Sequence, residues 1–523
     1  MLGLELVVIL GITVLTCSVA ARRLRIAAPV LLLAVGAVLG FIPMLREVEL
    51  PSEVMLLLFL PALLYWESLT TSLREIRRYA RVVLLTSTLL VIATAAGVAA
   101  VAHALGMQWG PAWVLGAALA PTDATVVSVF ARGLPSRSMN LLRAESLIND
   151  GTALVIFGVA VSITAGGETF SFGNVSWLFV LSFGGGALAG VITAWLAVQV
   201  RKRLDNPLHE NTLSVLTPFV AFLLAEVVHA SGVLAVVVCG LILSQVGPRL
   251  IHADTRTQNS AFWSLSTFLL NGSLFVLVGL QANAAARDLT STGVWRGLAL
   301  VGLISVAVIG VRMLWLFTTP YIIRAIDRRP QQRELRADPK SRLINSLCGF
   351  RGAVSMAAAL AVPEGMAGRD LIIFVTAGVI TLTLVVQALL LPPVVRWANL
   401  PPDTQFDEER AMAILASAEA AYEAMPKLAA ELGTDPLIIE RARRESEKRL
   451  KLLRQGNAED DEEHPYQRLE NDYQALRLAL IAHKRSTIVR LRDERRIDDA
   501  VLRHIQTQLD LEEIRLSRRE AAE

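Results

Sequence analysis

Two carboxylates stand where the chain is otherwise most apolar. Asp123 lies in ALAPTDATVV and Asp150 in ESLINDGTALVIF, each inside a long hydrophobic run. Thr122, Ser146 and Asn149 add hydroxyl and amide oxygens beside them. Oxygen ligands of this kind are hard donors that suit a small cation, and a carboxylate can hold a proton in its place. Pro121 gives the first stretch its purpose. It removes a backbone donor and pushes the preceding residue out of helical geometry. An interrupted helix frees carbonyls at membrane depth, which is tolerated only where the backbone is buried in protein or lines a cavity. Secondary transporters build ion sites in this way.

Spacing sorts the second stretch. Glu145 and Asn149 are four residues apart and share a helix face, while Asp150 is offset by about 100°. Ser146 lies four residues before Asp150 and shares its face. One face therefore offers a hydroxyl and a carboxylate, the neighbouring face a glutamate and an amide. Glu145 needs a counter-charge, and Arg312 is the central candidate. That pair could tune the site or be purely architectural. Arg351, between Gly349 and Gly352, marks a second place where a helix weakens midway.

The elements that position these residues are membrane spans. The chain has 523 residues, 54% hydrophobic, with mean hydropathy +0.51. Apolar runs of roughly 20 residues recur, each enough to cross a bilayer core. Thirteen spans are predicted, at 4–21, 28–44, 52–71, 81–103, 110–131, 139–164, 175–200, 211–229, 232–247, 260–282, 295–320, 343–363 and 370–397. Only HASG separates the eighth from the ninth. Beyond the first two positions of each span, five acidic residues fall inside spans: Glu67, Asp123, Glu145, Asp150 and Glu226. On insertion scales a central Asp or Arg costs about 2.5–3.5 kcal/mol, so such residues pair, face water or serve function. Glu226, near the end of its span, is expected to be structural or to reach the interface. If spans 1–6 repeat as 8–13, the odd offset makes the copies inverted. Span 5 then corresponds to span 12, and both are interrupted, the best sequence pointer to a transport site. The expected fold is an all-α polytopic membrane protein of two inverted six-helix repeats with discontinuous spans 5 and 12, followed by a helical tail.

Charge supplies orientation. Residues 401–523 hold 27 acidic and 21 basic residues, net −6, leaving the first 400 at +9. With the N-terminus outside, inner loops collect Arg22, Arg23, Arg25, Arg74, Arg77, Arg78, Arg201, Lys202, Arg203, Arg249 and Arg256, and the basic run 324–342. This asymmetry follows the positive-inside rule and puts the tail in the cytoplasm of a plasma-membrane protein. Trp109, Trp113, Trp177, Trp263, Trp295 and Trp397 fall near span ends, as an aromatic belt would. The apolar N-terminus reads as a first span rather than a cleaved signal. Cys17, Cys239 and Cys348 lie in apolar runs and read as buried thiols without disulfide or metal-ligand spacing. No basic, aromatic-studded groove points to nucleic acid. No nucleophile elbow, phosphate loop or metal-hydrolase helix points to an enzyme. In the tail, the acidic run AEDDEEHP reads as a linker between helical blocks.

PTDATVVSVF followed by ESLINDGTALVIF, with LLAEVVHASGVLAVVVCGLIL and GFRGAVSMAAALAVP, resembles the monovalent cation:proton antiporter-1 family, the Na⁺/H⁺ exchangers, over roughly residues 1–400. The resemblance implies that Asp150 alternately binds cation and proton, and that Asn149 is the amide found in electroneutral members. Asp123 and Thr122 would line the unwound fifth span, Ser146 would add a hydroxyl, and Glu145 and Arg312 would form an ion pair. Arg351 would have a structural or gating role. The family also implies a homodimer, an interface domain of spans 1–3 and 7–10, a moving core of spans 4–6 and 11–13, and no cofactor. One departure stands out. The family's third span reads LPPLLFE or similar, whereas FLPALLYWES has Ala62 for the second proline and its acid, Glu67, one residue late. The implied function is Na⁺(Li⁺)/H⁺ antiport by alternating access, for pH and sodium homeostasis. A K⁺/H⁺ antiporter, a proton-coupled carrier of another solute, and a non-transporting pH sensor signalling through the tail remain alternatives.

Overall fold

The computed structural model describes residues 2–24, 26–43, 55–130, 134–166, 172–287, 289, 293–326, 338–400, 405–455, 465–494, 496, 505–506, 509–510 and 512–513. The described residues form helices and their connections, without strands. Contacts divide the chain into Met1–Asp403 and Thr404–Glu523.

Among the described residues of the first unit, nine helices are long and apolar enough to cross a membrane. They are Leu4–Leu24, Ala80–Ala104, Ser138–Thr164, Trp177–Arg201, Pro207–Val227, Gly232–Leu250, Ala253–Arg287, Val294–Ile322 and Arg369–Ala398. These are spans 1, 4, 6 to 11 and 13 of the sequence. Spans 2 and 3 are the shorter helices Ala28–Leu39 and Leu57–Thr70. Spans 5 and 12 are each two half-helices: 5a (Trp109–Leu119) and 5b (Ala124–Phe130), 12a (Pro339–Leu347) and 12b (Ala353–Leu360). Pro121 and the Gly349–Gly352 stretch lie in the two breaks. Spans 8 and 9 are separate helices. His229 turns between them in the left-handed region at φ 54, and the Ser231 hydroxyl caps the Leu234 amide at 3.2 Å.

Glycine lets several spans meet backbone to backbone. A Cβ at Gly36 would strike the Val276 carbonyl, and one at Gly279 the Leu33 carbonyl, so spans 2 and 10 are in direct main-chain contact. Gly186 and Gly190 do the same for span 7 against Ser231 and Ala235 of span 9. Where lipid is as apolar as the side chains, such small-residue seams take over the role of hydrophobic burial. Leu4, Val7, Ile12 and Leu15 of span 1 and Leu188, Val191 and Trp195 of span 7 point outward. In a soluble protein this would be a large exposed apolar patch; here it is the face for lipid.

Trp109, Trp177, Trp295 and Trp397 are exposed, but Trp263 is 1% exposed and does not belong to a belt. Its indole donates to Ser214 Oγ at 3.3 Å, and its ring packs against Tyr65 and Trp66 with centroids 5.5 and 6.3 Å away. A buried indole N–H needs an acceptor, and span 8 supplies it.

In the second unit, Gln405–Leu432 and Pro436–Gln455 pack as a hairpin that turns through Gly433 at φ 61. Arg454 meets Glu419 at 2.8 Å, and Tyr422 donates to Glu447 at 2.6 Å. Hydrogen bonds from Tyr422 and Arg443 hold the Glu447 carboxyl below its ordinary range. Pro465–Asp493 follows, with Arg485 on Asp510 and Glu513 at 2.5 Å each. Most of the acidic linker AEDDEEHP and of the basic 324–342 loop lies outside the described residues.

The glycine seam gives a direct expectation. Gly279→Val forces side-chain atoms into the Leu33 carbonyl and costs about 1–3 kcal/mol by overpacking. The variant should melt earlier in detergent, whereas Gly302→Val, at a position with open space around it, should not.

Candidate functional site

The two breaks face each other. The Asp123 amide donates to the Phe350 carbonyl at 2.8 Å. In return Arg351 Nε donates to the Leu119 carbonyl at 3.0 Å, and its guanidinium also reaches the Gly349 carbonyl. Arg351 is 1% exposed, so a buried cation sits on carbonyls that the broken helices set free. Span 6 supplies more partners. Ser146 Oγ donates to the Thr122 carbonyl at 2.9 Å and accepts from the Ala124 amide at 3.3 Å. Asp123 caps half-helix 5b, its Oδ1 accepting from the Thr125 amide at 2.8 Å and the Thr125 hydroxyl at 2.5 Å. A Cβ on Gly352 would collide with the Asp123 carboxylate, so glycine there lets the two breaks close on each other.

A cavity of about 60 Å³ opens beside this crossing. Glu67, Thr122, Asp123, Ser146, Asp150 and Asn271 line it, with Ser355 and leucines of span 3. The space admits a few waters or a partly hydrated ion. A second cavity of about 10 Å³, room for one water, is lined by Thr86, Thr94, Glu145, Asn149, Arg312 and Arg351. The two faces of span 6 thus look into two cavities: Ser146 and Asp150 into the larger, Glu145 and Asn149 into the smaller. Thr122 borders both, and Asn149 Nδ2 donates to its hydroxyl at 2.7 Å.

The charges are handled differently on the two sides. Glu145 Oε1 meets Arg312 Nη1 at 2.5 Å, both buried, and Arg312 Nε donates to the Asn345 carbonyl at 3.1 Å. Spans 6, 11 and 12 are tied by this one guanidinium. Around the larger cavity, Asp150 Oδ1 and Glu67 Oε1 are buried without a hydrogen-bond partner among the described residues. Buried acceptors left this way cost about 1–3 kcal/mol each unless an ion, a proton or water fills the gap.

Every site residue read from the sequence lies at one or other cavity. Glu67 reaches the larger one despite its one-residue displacement. Glu226 is exposed at the end of span 8, away from both. Sequence reading missed Asn271 and Ser355. Asn271 was visible as an amide inside the apolar run FLLNGSLF; a lone serine such as Ser355 carries no such signal.

Residues 9–397 match the family described as "Sodium/hydrogen exchanger, transmembrane". The chain belongs to the sodium/hydrogen exchanger family. Exchangers of this family are secondary transporters, not enzymes. A protein named an uncharacterized Na⁺/H⁺ exchanger in Mycobacterium tuberculosis H37Rv is 43% identical over 523 residues, covering 98% of this exchanger and 96% of the relative. The low-affinity Na⁺/H⁺ antiporter NhaS1 of Synechocystis is 31% identical over 384 residues, 73% of this chain and 71% of its own. Among solved structures, the sodium proton antiporter MjNhaP1 of Methanocaldococcus jannaschii at pH 8 matches with TM-score 0.58 and 19% identity. It covers 76% of this chain and 99% of that one, a likeness of fold.

The Glu145–Arg312 pair can be weighed in this exchanger. Removing one partner of a buried pair costs about 3–5 kcal/mol because the other charge is stranded. Glu145→Gln and Arg312→Gln should each lower the melting temperature sharply, and the double variant should recover part of the loss. Single variants as stable as the parent would show that the pair holds nothing together.

Proposed function

We propose that this exchanger carries Na⁺ or Li⁺ against H⁺ across the plasma membrane, one for one, by alternating access at the larger cavity. The observation that carries the reading is the set of three carboxylates, Glu67, Asp123 and Asp150, on one cavity of about 60 Å³. Like charges in a buried, low-dielectric site repel, and they cannot all ionise without a compensating cation. A proton and a metal ion relieve the same repulsion, so each excludes the other. Asp150 is the carboxylate that alternates, with an oxygen already free of protein partners. Thr122, Ser146, Asp123 and Glu67 supply further oxygens to the cation. Asn149, being an amide, adds no second titrating acid beside Asp150, and the cycle stays electroneutral. Glu145, Arg312 and Arg351 hold the two breaks in register. No cofactor enters; Na⁺ and H⁺ are the substrates.

Alternating access needs two bodies, and the hydrogen bonds between spans named here, all among the described residues, fall into two sets. One set ties spans 4, 5, 6, 11, 12 and 13, through Arg296, Arg312, Arg351, Ser146, Asn149 and Lys340. The other ties spans 2, 7, 8, 9 and 10, through Asn283, Arg287, Ser231, Trp263 and His252. This supports a moving core of spans 4–6 and 11–13 against an interface body of spans 1–3 and 7–10, which we take to form a homodimer. The tail is assigned to the cytoplasm in a regulatory role.

Asp150→Asn in proteoliposomes should reduce pH-dependent Na⁺ uptake to that of protein-free vesicles. Exchange that persists would remove Asp150 from the cycle, and a rate that follows membrane voltage would end electroneutrality. One relative, from Bacillus pumilus, is named a sodium, potassium, lithium and rubidium/H⁺ antiporter and is 30% identical over 389 residues, 70% of this chain and 57% of its own. It favours a second reading with wider cation choice. Uptake of Na⁺, Li⁺, K⁺ and Rb⁺ under one pH gradient separates the two.

A further inference from the structure

The larger cavity has one polar wall residue that the exchange cycle above does not use. Asn271, in span 10, lines it together with Leu274 one turn on. Its amide is half-buried and has no hydrogen-bond partner among the described residues. An amide placed beside three carboxylates offers a carbonyl oxygen to a cation and an N–H to a carboxylate.

The position of Asn271 adds to this. Span 10 stands seven after span 3, as span 12 stands seven after span 5. The pair of corresponding spans that cross, 5 and 12, carries Asp123 and Gly352. The other pair, 3 and 10, brings Glu67 and Asn271 to the same cavity. These two spans are locked together, since Trp263 of span 10 packs against Tyr65 and Trp66 of span 3. Trp66 directly precedes Glu67, and Trp263 lies two turns before Asn271. Span 10 is further fixed by its main-chain contact with span 2 at Gly36 and Gly279, and by Asn283 Nδ2 on the Ala37 carbonyl at 2.9 Å. Glu67 and Asn271 therefore share one rigid platform, while Asp123, Ser146 and Asp150 belong to the other hydrogen-bonded set.

We infer that Asn271 is a cation ligand and selectivity determinant, offered by the platform across the cavity from Asp150. The inference rests on the larger cavity being the exchange site. Through its carbonyl oxygen Asn271 completes the shell of a dehydrated monovalent ion in the conformation where platform and breaks face each other. A neutral oxygen adds coordination without adding a fourth titrating acid, so it acts on cation binding and leaves proton binding to the carboxylates. Because Asn271 stays with the platform, the contact is made and broken as the breaks move, and it sets affinity on the side to which this conformation opens.

The test is reconstituted exchange with Asn271→Ala and Asn271→Gln, using Na⁺, Li⁺ and K⁺ in turn. Losing one such ligand should raise the Na⁺ concentration for half-maximal rate about tenfold. The maximal rate should stay within about twofold. The order of preference among the three ions should shift, and the glutamine, which restores the amide, should recover part of the affinity. Half-saturation and ion order matching the parent in Asn271→Ala would overturn the inference. So would an equal loss of maximal rate for all three ions together with a lowered melting temperature, which marks a packing role. Should the alanine variant not fold, Asn271→Ser serves the same comparison. Asp150→Asn, run in parallel, keeps the two claims apart. Exchange surviving there overturns the site itself, whereas exchange abolished there with normal half-saturation in Asn271→Ala overturns this inference alone.

Discussion

The structure depends on one constraint: backbone groups that leave helical pairing at membrane depth must find partners inside the protein. Two helices break at the same level, and each break frees amides and carbonyls that lipid cannot satisfy. The solution is mutual. The Asp123 amide takes the Phe350 carbonyl, and Arg351 returns to the Leu119 carbonyl. Ser146 serves both the Thr122 carbonyl and the Ala124 amide. Each break supplies part of what the other needs, and this gives a buried arginine a use where a hydrophobic residue would be cheaper. Arg351 has no carboxylate partner in these bonds; its donors meet helix ends, whose partial negative charge substitutes for one.

Span 6 shows how a single helix separates two electrostatic tasks. Glu145 is neutralised within the protein by Arg312, an investment in rigidity. Asp150, about 140° around from Glu145, has no protein cation paired to it among the described residues and retains an unpartnered oxygen. One charge is compensated within the protein and the other is not. The bond from Asn149 reaches Thr122, which lines both cavities. Were the pair on the other face, the cavity would hold a permanent counter-ion and a travelling one would have no reason to enter.

Much of this was legible in the sequence, because cost in lipid is a strong signal. Asp123, Asp150, Glu145 and Arg312 stand out in apolar runs, and Pro121 and the glycines around Arg351 mark both breaks. Periodicity alone placed Ser146 with Asp150 and Glu145 with Asn149. What stayed hidden depends on three-dimensional neighbours. Glu67 is offset from the family pattern by a residue, yet span 3 enters through a π-helical turn at Met55–Phe59, and the register still brings the carboxylate to the cavity. A second such turn, Leu85–Leu89, carries Thr86 to the smaller cavity, and nothing in LTSTL announces it. Trp263 looks like an interfacial anchor from its place near a span end; only the partner on span 8 reveals it as a buried wedge. Asn271 is cheap enough in an apolar helix to pass unnoticed beside five carboxylates.

The lining of the larger cavity bears on how an ion could pass at all. On the platform side, Phe59, Leu60, Leu63, Leu64 and Leu274 line the cavity beside Glu67 and Asn271. Hydrophobic side chains can slide and repack with small changes in free energy, whereas a hydrogen bond that is broken in lipid must be replaced at once. The named polar links stay within each set of spans, and the platform's share of the cavity lining, apart from Glu67 and Asn271, is leucine and phenylalanine. This distribution suits a protein in which two rigid bodies move past each other. Apolar side chains beside a polar seat also lower the local dielectric, which strengthens the attraction between its carboxylates and a cation.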